Sequence, residues 1–347
     1  MSGLSVKSEA PELRRDPISG RWVIIAPARG RRPSQPVRPA PAPGGDPCPF
    51  CPGNEAATPP EIVASRPAGG SRNGPGWTLR VFPNKFAALV PDGTPDVVWE
   101  GIYERMDGVG AHEVIVESPE HERELSELPL DRIEQVLTAY RDRSLALGRD
   151  RRIRYVLVFK NHGEWAGATQ DHSHTQILAT PVIPSVAAEE LAGSRRRFEK
   201  SGRCVFCEVM ERELAEGSRI VSREESFLSF TPYASRFAYE TWVLPRRHAA
   251  SFANASEETL RGLAPILKET LGRIRSALAR PDYNFLIHTA PCAEPDLEFY
   301  HWHIEIIPKL SRASGFEWGT GAYINPTPPE EAAERLRSLS PAEFRAS

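Results

Sequence analysis

The sequence predicts an α+β fold made of two tandem units that are related by duplication. The chain has 347 residues, which is enough for about two domains of ordinary size. Short runs of β-branched and aromatic residues alternate with amphipathic helical segments, so both strands and helices are expected. The order of cysteines and histidines in the first half also recurs in the second half. We therefore expect the same unit twice, over residues 1–190 and 191–347.

Strand and helix signals follow one another in a regular order. In the first half we expect strands over Trp77–Phe82, His112–Glu117 and Tyr155–Phe159, a helix over Pro129–Tyr140, and a further strand that carries His172, His174 and Gln176. In the second half we expect a helix over Ala187–Lys200 and a strand over Glu240–Pro245. Proline and glycine are dense over residues 26–76, so we expect loops there.

The composition is that of a soluble globular protein, with 40% hydrophobic and 26% charged residues. A formal net charge of -3 argues against nucleic acid as the main partner. The first residues, MSGLSVKSEAPELRRD, lack the apolar core of a signal peptide, and no stretch approaches the roughly 18 apolar residues of a membrane span. We therefore expect a cytoplasmic protein with neither a membrane nor a nucleic-acid partner.

Four of the five cysteines form two C-x-x-C pairs, which is not the pattern of a secreted disulfide framework. Each pair alone could be a metal site, a redox dithiol or two buried small hydrophobic side chains. Redox motifs of the thioredoxin kind open a helix, whereas DPCPFCPG (46–53) is rich in turn residues. Zinc is therefore favoured for this pair.

The histidines repeat together with the cysteines. In each half the cysteine pair is followed by a single histidine after a strand and then by an H-x-H motif, with 51 residues from the single histidine to the motif in the first half and 53 in the second. Two thiolates and two imidazoles suit tetrahedral zinc. We predict two zinc ions per chain, one held by Cys48, Cys51, His121 and His172 and the other by Cys204, Cys207, His248 and His301.

On a strand, His172, His174 and Gln176 would share one face, because successive side chains point to opposite faces. A solvated face or satisfied core histidines would give the same pattern. If His172 binds the metal, however, His174 is left free as a nucleophile for phosphorus, and Gln176 could donate a hydrogen bond to a phosphoryl oxygen. The small residues of Gly163–Thr169 offer backbone N–H groups for a diphosphate, although no P-loop motif is present.

Several motifs together resemble the galactose-1-phosphate uridylyltransferase family of the histidine-triad superfamily. They are CPFCPGN (48–54), VFPN (81–84), ESPEH (117–121), NHG (161–163), HSHTQ (172–176) and GFEWGTGAYIN (315–325). The resemblance implies two histidine-triad-like units, each an antiparallel sheet with helices. It also implies that His174 takes the nucleotidyl group, that Gln176 stabilises the intermediate, and that the first cysteine-histidine set binds zinc.

The resemblance implies substrate contacts as well. Arg29 and Arg32 look like the pair that reaches the substrate phosphate of the neighbouring subunit in a homodimer. The remaining positions that look like nucleotide, phosphate or sugar contacts are Asn84, Lys85, Asn161, Gly167, Ala168, Thr169 and Tyr323. A turn cap would also account for Asn161, and a solvated basic loop for the arginines.

The chain departs from the archetypal transferase in ways that bear on the substrate. HSHTQ stands where the archetype has HPHGQ, Lys85 stands where it has Asp, and Ile324 lies near a position that it fills with Glu. The first of these and the segment GTGAYIN are closer to the plant-type ADP-glucose phosphorylase branch. We expect transfer of a nucleoside monophosphate from UDP-glucose or ADP-glucose to a hexose 1-phosphate or to phosphate. The alternatives are an ADP-glucose phosphorylase that releases glucose 1-phosphate, and a catalytically silent zinc-stabilised nucleotide-binding protein.

The second metal site also departs from the bacterial uridylyltransferases, which bind iron through one Glu and three His. The matching positions here are Glu190, His288, His303 and Glu305, which lack the third imidazole. The complete cysteine-histidine set favours zinc instead. Glu305 stands where the first unit has Gln176, and an anion there would repel a phosphate, so we expect the second unit to have kept its metal and lost the chemistry.

Overall fold

The structure is a computed structural model that describes residues 10–31 and 47–339. Its strands are β1 (Glu12–Arg15), β2 (Trp22–Ile25), β3 (Val63–Ser65), β4 (Leu79–Pro83), β5 (Val98–Glu100), β6 (Tyr103–Arg105), β7 (Ala111–Val116), β8 (Tyr155–His162), β9 (His174–Thr180), β10 (Ile220–Arg223), β11 (Phe227–Phe230), β12 (Thr241–Pro245), β13 (Tyr283–His288), β14 (His303–Pro308) and β15 (Tyr323–Asn325). Its α-helices are α1 (Leu130–Gly148), α2 (Ser185–Ser201), α3 (Val205–Glu216), α4 (Glu257–Ala277), α5 (Gly315–Thr320) and α6 (Pro329–Arg337).

Ten strands form one antiparallel sheet in the order β10-β11-β12-β14-β13-β8-β9-β7-β4-β3. From one edge the order is β10, β11, β12, β14 and β13, and from the other edge it is β3, β4, β7, β9 and β8. In each half the fourth strand begins at the second histidine of the H-x-H motif, as a duplication would produce. The sequence predicted a sheet in each unit, and these two sheets are joined edge to edge, where Leu286 of β13 lies opposite Phe159 of β8. The predicted division at residue 190 lies inside α2.

The long helices α1 and α4 cover one face of this sheet. In α1 the buried residues Ile133, Val136, Leu137 and Tyr140 follow the spacing of one helix face, and they join a core that extends across both units. In α4 the Ser256 side chain caps the first turn by accepting from the Thr259 N–H. The opposite face of the sheet carries His174 and His303, the second histidine of each H-x-H motif. A substrate can therefore bind on that face.

A second, three-stranded sheet has the order β1-β2-β15, with β15 parallel to β2. Its contacts are with the second unit: Asn325 donates from Nδ2 to the carbonyl oxygens of Ser235 and Phe237, and Arg14 pairs with Glu330 of α6. The N-terminal strands, which the sequence assigns to the first unit, therefore pack against the second.

The predicted elements are present with shifted ends. The histidine strand begins at His174, so His172 lies just before it, and α1 continues beyond Tyr140 to Gly148. The second cysteine pair differs from the turn-rich first pair, because Cys204 caps α3 and Cys207 lies in its first turn. Within the described ranges, none of the helices has the length and apolar character needed to cross a membrane.

Candidate active site

The first predicted metal ligands converge. Ligand atoms of Cys48, Cys51, His121 and His172 all lie within 4.8 Å of one another. Cys51 Sγ is 3.3 Å from His121 Nδ1 and 3.6 Å from His172 Nδ1. Tetrahedral zinc, with Zn–S of about 2.3 Å and Zn–N of about 2.0 Å, would place such atoms about 3.5 Å apart. The donor atoms and their spacing therefore fit zinc.

The second cysteine-histidine set has the same geometry. Ligand atoms of Cys204, Cys207, His248 and His301 lie within 4.8 Å, and Cys207 Sγ is 3.5 Å from His248 Nδ1. In both sets the histidine just before the strand donates from its other ring nitrogen to a backbone carbonyl oxygen, His172 to that of Ser118 and His301 to that of Pro245. This second bond fixes the ring so that Nδ1 faces the metal position.

A third group of possible ligands lies in the second unit and contains Glu190, His288 and His303. His288 Nδ1 is 3.1 Å from Glu190, and its Nε2 is 3.3 Å from Glu305. Burial by itself would lower the pKa of His288, but the two carboxylates raise it to about 10. His288 and the two carboxylates, Glu190 and Glu305, therefore form a buried ion-pair cluster in the structure.

His174, the predicted nucleophile, is oriented by its own strand. Its Nδ1–H donates to the carbonyl oxygen of His172 at 2.8 Å, so Nε2 carries the lone pair. Burial and the nearby Lys160 ammonium lower the pKa of His174 to about 4. The ring is therefore neutral at neutral pH, and a neutral imidazole with a defined free nitrogen can attack phosphorus.

Gln176 is oriented by a residue that the sequence analysis missed. His112 Nδ1 accepts from the Ala88 N–H at 3.1 Å, so its Nε2 carries the proton and donates to Gln176 Oε1 at 2.7 Å. Asn84 Nδ2 lies 3.3 Å from the same oxygen. With Oε1 occupied by donors, the Gln176 amide NH2 is left to donate. His112 opens a predicted strand, but only the pairing of β7 with β9 brings it to Gln176.

A buried polar cluster that the sequence analysis also missed lies behind the His174 strand. Lys160 Nζ donates to Glu117 at 2.7 Å, to Ser173 Oγ at 2.9 Å and to the His174 carbonyl oxygen at 3.0 Å. Burial alone would raise the pKa of Glu117, but Lys160 and the neighbouring hydroxyls, Thr175 among them, lower it to about 2. The carboxylate is thus charged inside the core. The sequence analysis used the segment ESPEH (117–121) only as one of the motifs that resemble a known family, and it did not predict that Glu117 forms a buried ion pair.

The loop predicted to hold a diphosphate already uses much of its backbone. The Ala166, Gly167 and Ala168 N–H groups donate to carbonyl oxygens of the same loop, and the Trp165 N–H donates to Asp282. These amides do not form an open anion cradle, in contrast to the prediction for this run of small residues.

Asn161, which precedes this loop, accepts from Asn284 Nδ2 at 2.9 Å and so links β8 to β13. Gly167 has a φ of 88° and stands beside the Asn161 amide. Thr169 follows in the same loop. Asn161, Gly167, Ala168 and Thr169 therefore remain near the C-terminal end of β8 as predicted substrate contacts, without an amide cradle of the kind expected.

The other predicted substrate residues are divided between the two units. Lys85 is exposed next to Asn84, and its Nζ lies 3.5 Å from the Ala57 carbonyl oxygen. Arg29 is exposed in a short 3-10 helix after β2, and Tyr323 packs against Phe237 in the small sheet on the second unit. Arg32 lies outside the described residues.

In the second unit the histidine that is equivalent to His174 is enclosed. The His303 ring is surrounded by Phe206, Trp242 and His288, with ring centroids 5.0, 4.9 and 4.7 Å away, and its Nε2 is buried without a hydrogen-bond partner. Arg236 pairs with Glu305 at the position that matches Gln176. An enclosed imidazole beside a carboxylate is poorly placed to receive a phosphate, and the loss of chemistry in the second unit stays a prediction.

This chain is similar to known proteins over nearly its whole length. Two family models match, described as galactose-1-phosphate uridyl transferase, N-terminal domain, over residues 4–184, and C-terminal domain, over residues 190–346. An ADP-glucose phosphorylase of Arabidopsis thaliana is 36% identical over 97% of this chain and 95% of its own length. A galactose-1-phosphate uridylyltransferase of Thermotoga maritima is 31% identical over 94% of this chain and 98% of its own.

Solved structures give the same result. The crystal structure of an ADP-glucose phosphorylase from Arabidopsis thaliana with bound ADP-glucose has a TM-score of 0.81 and 35% identity, covering 95% of this chain and 100% of that one. A uridylyltransferase structure has a TM-score of 0.74 and 30% identity, covering 94% and 97%. The predicted α+β fold and family are confirmed: this chain belongs to the galactose-1-phosphate uridyl transferase family.

Proposed function

We propose that this protein transfers a nucleoside monophosphate from a nucleotide-sugar to a phosphate acceptor through a covalent intermediate on His174. The observation that carries the proposal is the hydrogen bond from His174 Nδ1–H to the His172 carbonyl oxygen, which directs the Nε2 lone pair away from the strand. Family membership supports nucleotidyl transfer as the reaction class.

The transfer takes two displacements. His174 Nε2 attacks the α-phosphorus of the nucleotide-sugar, the bond from that phosphorus to the bridging oxygen breaks, and a hexose 1-phosphate leaves. An oxygen of the acceptor, a hexose 1-phosphate or inorganic phosphate, then attacks the same phosphorus and breaks the N–P bond. The Gln176 amide donates to a non-bridging oxygen in both steps, because its Oε1 is held by His112 and Asn84.

Two zinc ions complete the proposed enzyme. Each would be held by two thiolates and two imidazoles, a closed shell that leaves no position for water or substrate, so the role of the metal is structural. At the first site the metal would fix His172, and hence the start of the strand that carries His174. At the second it would fix the end of α3 that carries Cys204 and Cys207.

We also propose a homodimer in the cytoplasm, where the thiolates stay reduced. Arg29 and Tyr323 lie with the small sheet on the second unit, whereas His174 lies on β9 of the first. These residues would therefore serve the site of the partner subunit. Mixing His174→Ala chains with Arg29→Ala chains tests this, because subunit exchange should restore part of the activity that each variant lacks.

The donor is proposed to be ADP-glucose or UDP-glucose. The Arabidopsis thaliana relative at 36% identity is an ADP-glucose phosphorylase, whereas the Thermotoga maritima relative at 31% is a galactose-1-phosphate uridylyltransferase. Together with the HSHTQ strand, this supports ADP-glucose as donor and inorganic phosphate as acceptor, with the uridylyl reaction as the second candidate.

The decisive experiment incubates the protein separately with ADP-glucose and UDP-glucose, each radiolabelled in the α-phosphorus. We expect label on the protein and release of glucose 1-phosphate, followed by discharge of the label to phosphate or to galactose 1-phosphate. His174→Ala should not become labelled and should keep its zinc. Labelling of His174→Ala would refute the mechanism, and no labelling of the wild type by either donor would favour a silent nucleotide-binding protein.

A further inference from the structure

The buried cluster behind β9 joins residues from four elements of the first unit. Glu117 follows β7, Lys160 lies on β8, Ser173 and Thr175 flank His174, and the Tyr140 hydroxyl of α1 donates to Glu117. Lys160 and Glu117 are almost completely buried. Ser173 and Thr175 point to the face opposite His174 and Gln176, so the cluster contacts the strand from behind.

The second unit provides an internal comparison, because it builds the same cysteine-histidine set and the same H-x-H strand. There the residues that flank His303 are Trp302 and Ile304, and Ile304 pairs with Ile287 of β13, in the place of Lys160. All three are buried in the hydrophobic core. Neither the fold nor the predicted metal site therefore needs a polar cluster behind the strand.

Stability does not account for the cluster either. Burying a lysine and a carboxylate carries a large desolvation cost, and well-packed apolar residues of similar volume are often as stable or more so. The cluster occurs behind the strand of His174, whereas apolar residues stand behind the strand of His303, whose ring is enclosed by three other rings. This difference links it to the chemistry.

We propose that Lys160 and Glu117, with the hydroxyls of Ser173 and Thr175, are positioning residues for the nucleophile, an inference that rests on the nucleotidyl transfer proposed above. Lys160 holds the carbonyl oxygen of His174 itself, and Glu117 holds the side chains on both sides of it. Together they fix the height and rotation of the strand, so that His174 Nε2 stays in line with the phosphorus. Small displacements of a reacting group are costly, on the order of a hundredfold in rate for 1 Å.

The test replaces the pair as a unit with Lys160→Met/Glu117→Gln, which leaves no uncompensated charge. We expect the single-turnover rate of His174 labelling at saturating nucleotide-sugar to fall roughly tenfold to a hundredfold. KM should change less than about threefold, and the zinc content should match wild type. The matched control is Arg273→Met/Glu269→Gln, which removes a buried ion pair of α4 in the same way and should leave the labelling rate unchanged whatever its effect on Tm.

A labelling rate equal to wild type at full zinc content would overturn the proposal, as would an equal loss of rate in the control. If the double variant does not fold, Ser173→Ala/Thr175→Val decides instead, since it removes only the two hydroxyls behind the strand, and an unchanged rate there would overturn the proposal. Failure of the proposed function is distinct, because it would be seen as labelling of His174→Ala or no labelling of wild type.

Discussion

His112→Phe should slow nucleotidyl transfer by roughly tenfold without changing the fold or the zinc content. The substitution keeps a ring on β7 but removes the Nε2–H that donates to Gln176 Oε1 at 2.7 Å. Asn84 at 3.3 Å is then the remaining donor to that oxygen, so the amide can turn and present its oxygen to the phosphate. Loss of one such hydrogen bond costs about 1 to 1.5 kcal/mol, which corresponds to a factor of about five to thirteen in rate.

The assay is rapid-quench labelling of His174 from a radiolabelled nucleotide-sugar at saturating concentration, with zinc measured by elemental analysis. Gln176→Ala should be slower still, by roughly a hundredfold, because the donor itself is lost. His112→Gln is the matched control, since its amide can donate where Nε2 did, and it should recover part of the rate. If His112→Phe labels as fast as wild type, His112 does not orient Gln176.

Three further predictions concern the metal sites, acid stability and the loop after β8. Wild type should contain two zinc ions per chain by elemental analysis. Cys48→Ser should lower both Tm and the labelling rate. Cys204→Ser should lower Tm far more than it lowers the labelling rate, when that rate is measured at a temperature well below Tm. The pKa of Glu117 is about 2 in the fold against 4.5 for the free side chain, so the charged carboxylate is favoured over its protonated form by about 3 kcal/mol; this pH-dependent part of the stability is complete above pH 4.5 and is lost as pH falls towards 2. Urea unfolding should therefore show the stability difference between wild type and Glu117→Gln shrinking over that window, and a constant difference would contradict the assignment. Gly163→Ala should destabilise the protein by roughly 1 to 3 kcal/mol in the same measurement, because its φ is 82° and a Cβ would lie 2.2 Å from Asp282 Cγ; wild-type stability would show that the loop can shift freely.

The features that depend on short-range spacing were predictable from the order of the amino acids alone. The C-x-x-C pairs, the single histidines and the H-x-H motifs identify two ligand sets, and their repetition indicates a duplicated α+β unit. Strand alternation places His174 and Gln176 on one face, because the period of two is a local property of the backbone. The family follows from the same motifs.

The identity of neighbouring strands, and their register, depends on how the whole chain folds. Local patterns could not predict that the two units join edge to edge at β8 and β13. They also could not predict that the small sheet packs on the second unit. The backbone N–H groups of Gly163–Thr169 were expected to hold a diphosphate, but those of residues 165–168 have partners within the protein, because a backbone N–H is free or occupied according to the folded conformation of the loop.

The polar residues around the nucleophile illustrate the physical reason. His112, Lys160 and Glu117 each occur in a strand-like segment, where a single polar side chain is usually assigned to a solvent-facing position. Register is set by which face of each strand is buried against the others, over distances of tens of residues in sequence. Only when β7, β8 and β9 are paired does His112 reach Gln176, and only then does Lys160 meet Glu117 behind His174.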